Sequence, residues 1–154
     1  MDSLSTPDGP HMCWLSGMMG MGKSAVARSI AEELAKQSRL AASFFFSRRA
    51  GCTRVKYLFP TIAVQLTSSI PALEGSIMAA FRDPFILEHR LHYQFQQLII
   101  EPIQKMIMPL LPSMIIVVDA VECNDEEDLV AELTTLIADA QKDSLLPLRF
   151  FITS

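Results

Sequence analysis

Gly17-Met18-Met19-Gly20-Met21-Gly22-Lys23-Ser24 is the stretch on which the fold of this chain turns. It spells G-x4-G-K-[ST], between a short strand-like run, His11 to Ser16, and a segment of helical periodicity that begins at Lys23. Glycines let the backbone curl until consecutive N–H groups face one point. The following helix adds its positive end there, Lys23 brings a full charge, and Ser24 brings a hydroxyl suited to magnesium. The pattern predicts a phosphate-binding loop made of Gly17, Met18, Met19, Gly20, Met21, Gly22, Lys23, Ser24 and Ala25, with ATP or GTP and Mg²⁺ as ligands. At Met18, Met19 and Met21 the backbone amides matter more than the side chains. The bland alternative is a glycine-rich turn that caps a helix.

Outward from the loop, Val26, Ala27, Ile30 and Leu34 recur at helical spacing, with Glu32, Glu33 and Lys36 on the other side. They predict a first helix of about 14 residues. Leu40 to Ser47 contains Ala41-Ala42-Ser43-Phe44-Phe45-Phe46, a largely apolar run of the kind that forms a strand buried on both faces of a parallel sheet. The three phenylalanines read as core. Val55, Leu58, Phe59, Ile62 and Leu66 share one side of a helical stretch that reaches about Ser69, and Pro60 marks a kink or a fresh helix start. A further helix over Pro71 to Arg82 ends at Asp83-Pro84. Leu91, Phe95, Leu98 and Ile99 predict another to about Ile107, disturbed at Pro102.

The period then changes. Met114-Ile115-Ile116-Val117-Val118-Asp119 is a β-branched run that predicts a buried strand delivering a carboxylate at its C-terminal edge. Asn124 and Glu127 have capping spacing, and Asp125, Glu126 and Asp128 place negative charge where a helix begins. Leu129, Leu133, Leu136, Ile137 and Ala140 form the buried side of that helix, and Leu148 to Ser154 reads as a last buried strand. Strands alternating with helices predict an α/β fold, a three-layer α/β/α sandwich of the P-loop NTPase kind on a mainly parallel sheet. Residues 1–10 are expected to be a lead-in and residues 11–154 one nucleotide-binding domain, truncated after the fourth core strand.

A phosphate loop needs an organiser for its metal, and Asp119 is the candidate, holding magnesium together with Ser24. Its bland alternative is a cap on the next helix. Ala120 follows Asp119 where hydrolytic enzymes often carry a water-orienting Glu, so the next acid, Glu122, is the catalytic candidate beside Asp119. Glu122 reads equally as part of the acidic helix start. Arg48 and Arg49 follow the second strand, where they are either phosphate contacts or exposed structural arginines. His11, His89 and His92 show no acid or nucleophile pairing and read as surface or packing residues.

Composition narrows the partners. Thirteen Lys+Arg against 17 Asp+Glu give a net charge of −4, which disfavours nucleic acid. Cys13, Cys52 and Cys123 are far apart and lack metal-ligand spacing, as free thiols in a reducing compartment would be. The most apolar stretch, Leu98 to Val118, contains Glu101, Lys105 and prolines at 102, 109 and 112, which is wrong for a spanning helix. The expectation is a cytoplasmic protein without membrane or nucleic-acid partners. Its mean hydropathy of +0.29 and nine methionines hint at apolar surface covered by further chain or by a partner.

With Trp14-Leu15-Ser16-Gly17, the loop, Ala41 to Arg48, Phe59-Pro60-Thr61-Ile62-Ala63 with Gln65-Leu66, and Ile116 to Cys123 in view, the chain resembles the NACHT NTPase of fungal NOD-like receptors. It is most similar to the nephrocystin-3-like N-terminal subgroup, over about Pro7 to Ser154. The resemblance implies a STAND-class switch ATPase or GTPase, with nucleotide-dependent oligomerisation in innate-immune signalling. Lys23 would hold the β and γ phosphates, Ser24 and Asp119 the magnesium, and Glu122 the downstream acidic position. Relatives read D-A-L-D-E-C where this chain has Asp119-Ala120-Val121-Glu122-Cys123, and they continue T-S-R past the last strand. The resemblance also implies a sheet order of 2-3-4-1, with a further strand beside the first; an uncovered first strand predicts self-association.

The leading reading is therefore a nucleotide-gated switch with slow or no NTPase turnover. The alternatives are a catalytic P-loop phosphotransferase such as a small-molecule kinase, and a degenerate scaffold that no longer responds to nucleotide.

Overall fold

A computed structural model describes residues 12–17, 22–46, 55–106, 114–121, 128–142 and 148–154. The apolar runs of the sequence become four parallel strands: β1 (Met12–Leu15), β2 (Leu40–Phe45), β3 (Met114–Asp119) and β4 (Leu148–Thr153), side by side in the order β1-β4-β3-β2. This is the order that the resemblance implied. Helices fill the crossovers: α1 (Lys23–Lys36), α2 (Leu58–Ser69), α3 (Glu74–Ala80), α4 (Leu91–Phe95), α5 (Glu101–Gln104) and α6 (Leu129–Lys142). Among the described residues no helix is long and apolar enough to cross a membrane.

Alternation along the central strands sorts their side chains between two cores. Ile115, Val117 and Phe151 pack with Ala27, Ala31 and Leu34 of α1. Ile116, Val118, Phe150 and Ile152 join the larger core, built with Leu58, Phe59, Ile62 and Leu66 of α2 and Leu129, Leu133 and Ile137 of α6. With helices on both faces, every residue of β3 and β4 is buried, which is why these strands read as largely apolar runs, interrupted within β4 by Arg149. The expected inward side of α1 needs one correction, because Val26 is 43% exposed. The buried stripe is Ala27, Ala31 and Leu34, and Val26 sits one residue, about 100° of helix, away from it.

Two prolines explain local winding. Pro60 lies in the first turn of α2, after a 3₁₀ turn at Val55–Tyr57, so its missing N–H costs no helical bond and it marks a fresh start. Pro102 has no N–H to offer the Leu98 carbonyl. The ladder widens just before it into a π turn over Gln96–Ile100, between α4 and α5.

The sheet edges differ. β2 is covered by α2: the Gln65 side chain accepts from Ser43 N–H at 2.9 Å and donates to the Ser43 carbonyl at 2.7 Å, as a neighbouring strand would. The Ser69 hydroxyl donates to the Ala41 carbonyl at 2.6 Å. Among the described residues β1 pairs only with β4, and all of its residues are half-buried.

Candidate functional site at the carboxyl end of the sheet

Gly17 and Gly22–Ala25 lie where β1 gives way to α1. Gly22 has φ 78, a left-handed conformation that a residue with a Cβ adopts at a cost, and it stands at the helix N-cap. Its carbonyl accepts the first helical bond, from Val26 N–H at 3.0 Å. Gly22 has no side chain to cap the helix, and the first turn of α1 contains no acidic residue. The positive end of α1 thus has no counter-charge of its own, an arrangement suited to an external anion.

The Lys23 ammonium folds back from this helix start. It donates to the Gly17 carbonyl and, at 2.6 Å, to the Ser154 carbonyl just past β4. The same tip is tied to β1 by Gly17 N–H to Ser154 O at 3.2 Å, Ser154 N–H to Leu15 O at 3.1 Å, and the Trp14 indole N–H to Ser154 Oγ at 2.8 Å.

On the other side of β4, Asp119 ends β3 and is 2% exposed. The Thr153 hydroxyl donates to Asp119 Oδ1 and accepts Ala120 N–H at 2.9 Å. Ala120 has φ 58, so the chain turns sharply after the carboxylate. Phe46 N–H donates to the Asp119 carbonyl at 3.0 Å and fastens the end of β2 to it. Ser24 and Asp119 supply hard oxygen donors. Magnesium keeps several waters and takes few protein ligands, so these two residues fit it alongside phosphate oxygens.

The tip of β4 therefore contacts both Lys23 and Asp119. Met18, Met19, Gly20, Met21, Glu122, Arg48, Arg49 and the capping pair Asn124 and Glu127 lie outside the described residues. Trp14, Thr153 and Ser154 were not singled out from the sequence as site residues. The available signal was Thr-Ser closing an apolar strand, in a sheet where another apolar strand closes in Asp.

Residues 1–154 match the family described as nephrocystin 3, N-terminal. The chain belongs to the nephrocystin 3 N-terminal family. No curated protein matches it.

In this nephrocystin 3 N-terminal domain a separate cavity of about 360 Å³ is lined by residues of the turns at Val55–Tyr57 and Ile86–Glu88, by α4 and by Glu132 of α6. It contains none of the loop residues. Gln94, wholly buried, donates there to the carbonyls of Ile86 at 2.8 Å and Lys56 at 3.3 Å, tying the two turns together. His89, expected to be unpaired, lies 2.7 Å from Asp83 and packs at a tilt against Tyr93 with ring centroids 4.2 Å apart. The pairing was hidden because the turn at Ile86–Glu88 brings the two residues back together.

Proposed function

We propose that the chain is a nucleoside-triphosphate-binding switch module that takes ATP or GTP with Mg²⁺. The observation that carries this reading is the junction at the tip of β4, which touches both the lysine of a G-x4-G-K-S stretch and a buried carboxylate at the end of β3. Phosphates would lie against the backbone amides from Gly17 to Ala25 and the positive end of α1, with the Lys23 ammonium between the β and γ groups. Ser24 and Asp119 would hold magnesium, which would neutralise charge on the β and γ oxygens.

The family and the motifs quoted above also support the finer likeness to NACHT modules of STAND switches. In that reading the γ-phosphate biases the loop and the β4 tip between two arrangements, hydrolysis by way of Glu122 is slow or absent, and the triphosphate state self-associates. Calorimetric titration with ATP and with GTP, each with Mg²⁺ and with EDTA, tests the binding step. At least one nucleotide should bind the wild-type chain in Mg²⁺. Lys23→Ala should weaken it about 10- to 100-fold, the range expected when charge-assisted hydrogen bonds are lost. Absence of heat with both nucleotides, or equal affinity of the two proteins, overturns the reading.

A further inference from the structure

Thr153 is wholly buried, yet its hydroxyl makes two hydrogen bonds at the site. Their directions follow from chemistry. The Ala120 amide can only donate, so the Thr153 oxygen accepts from it, and the one hydroxyl proton is left for Asp119 Oδ1. A β-branched side chain inside a strand has few rotamers, which fixes where the oxygen sits, and with the Ala120 amide on one side of that oxygen the freely rotating proton is directed to Asp119 Oδ1. The Ala120 amide follows directly on Asp119, so its bond to the Thr153 oxygen ties the backbone at the end of β3 to the same hydroxyl.

We infer that Thr153 is the positioning residue for Asp119: it holds Oδ1 through its hydroxyl and leaves Oδ2 as the oxygen presented to a divalent cation or its water. Oδ2 has no hydrogen bond among the described residues. This inference rests on the nucleotide-binding reading and adds a claim to it. The metal-dependent part of the affinity belongs to Ser24 and the Thr153–Asp119 pair together, and the metal-independent part to the loop amides and Lys23. A carboxylate free to rotate would meet the cation in several orientations, whereas one oxygen tied to a rigid strand meets it in one.

The test compares the full chain with Thr153→Val, which keeps the shape and loses the hydroxyl, with Thr153→Ala, which avoids crowding, and with Thr153→Ser, which restores the hydroxyl. Nucleotide affinity is measured in EDTA and in Mg²⁺, and Mn²⁺ binding to the nucleotide complex is followed by electron paramagnetic resonance. Melting temperatures are read alongside. The expected result is a Mg²⁺ enhancement of affinity that falls at least fivefold in Thr153→Val and Thr153→Ala, with EDTA affinity within twofold of wild type. Mn²⁺ should be held correspondingly more weakly, and Thr153→Ser should recover both properties. An unchanged enhancement ratio in the Val and Ala variants overturns the inference and leaves nucleotide binding standing. A parallel loss in EDTA and Mg²⁺ also overturns it, since that is the signature of a merely structural threonine. If the wild-type chain binds no nucleotide, the nucleotide reading itself fails and the inference falls with it.

Discussion

The Lys23 ammonium and the Ser154 carbonyl, 131 positions apart in sequence, are 2.6 Å apart in space. A cation at the start of α1 is thereby held by the backbone that leaves β4, next to the threonine that holds Asp119. A polyphosphate arriving at α1 would compete with that carbonyl for the ammonium. The carbonyl is neutral and the phosphate charged, so the competition favours the ligand.

Trp14 should report this exchange. It is the sole tryptophan of the chain, and its indole N–H rests on the Ser154 hydroxyl at 2.8 Å. Addition of Mg²⁺ and the nucleotide that binds should produce a saturable change in Trp14 emission with the midpoint of the calorimetric titration. Lys23→Ala should flatten it. Calorimetric binding without an emission change would show that the β4 tip does not respond to ligand.

Ser38 is a site where removing the side chain would stabilise the fold. It follows α1 with φ 57; its N–H donates to Ala35 O at 3.1 Å and the Arg39 N–H to Leu34 O at 2.8 Å, the two bonds of a Schellman end. A Cβ in this conformation costs about 1 kcal/mol, and glycine avoids it. Ser38→Gly should raise stability by about 0.5–1 kcal/mol in urea unfolding, and a loss of stability would contradict the backbone geometry.

The core beneath α2 should be sensitive where its outer face is not. Leu66 is 0% exposed and Val64, two residues earlier, is 56% exposed. Leu66→Ala should cost about 2–5 kcal/mol through lost burial and a residual cavity. Val64→Ala should stay within about 0.5 kcal/mol. Denaturant midpoints at constant m-value distinguish the two, and similar losses would mean that the helix packs in another rotation.

Asp83 gives stability an acid-dependent component. The Phe85 N–H, donating to Asp83 Oδ1 at 2.9 Å, and His89, 2.7 Å from Oδ2, hold its carboxyl below the usual value of 3.8. A value lower in the folded state than in the unfolded one means a contribution present in full above the unfolded value and lost as pH falls through the folded one. Thermal unfolding of wild type and Asp83→Asn should differ at about pH 5 and converge as the medium is acidified below about pH 4. A gap that persists in acid would assign the effect to shape rather than charge.

Much of the fold was legible because local chemistry and the global fold agree. The β-branched run Met114–Asp119 forms β3 with those bounds, and Lys23–Lys36 forms α1 at the expected length. Val26 was misassigned because apolar residues on adjacent helical positions do not reveal which one the sheet will cover. The widened turn before Pro102 follows from the missing N–H, and the sequence marked that disturbance without its form.

By itself the sequence determined the alternation of strands and helices, the glycine that takes φ 78 before α1, and the two chemically equipped strand ends, because periodicity, backbone freedom and charge are properties of neighbouring residues. The family resemblance implied that β4 lies between β1 and β3, but only the tertiary structure decided that Ser154 meets Lys23 while Thr153 meets Asp119. The physical reason is distance along the chain. Those contacts join residues 131 and 34 positions apart, and strand order, which no local pattern encodes, is what brings them within hydrogen-bonding reach.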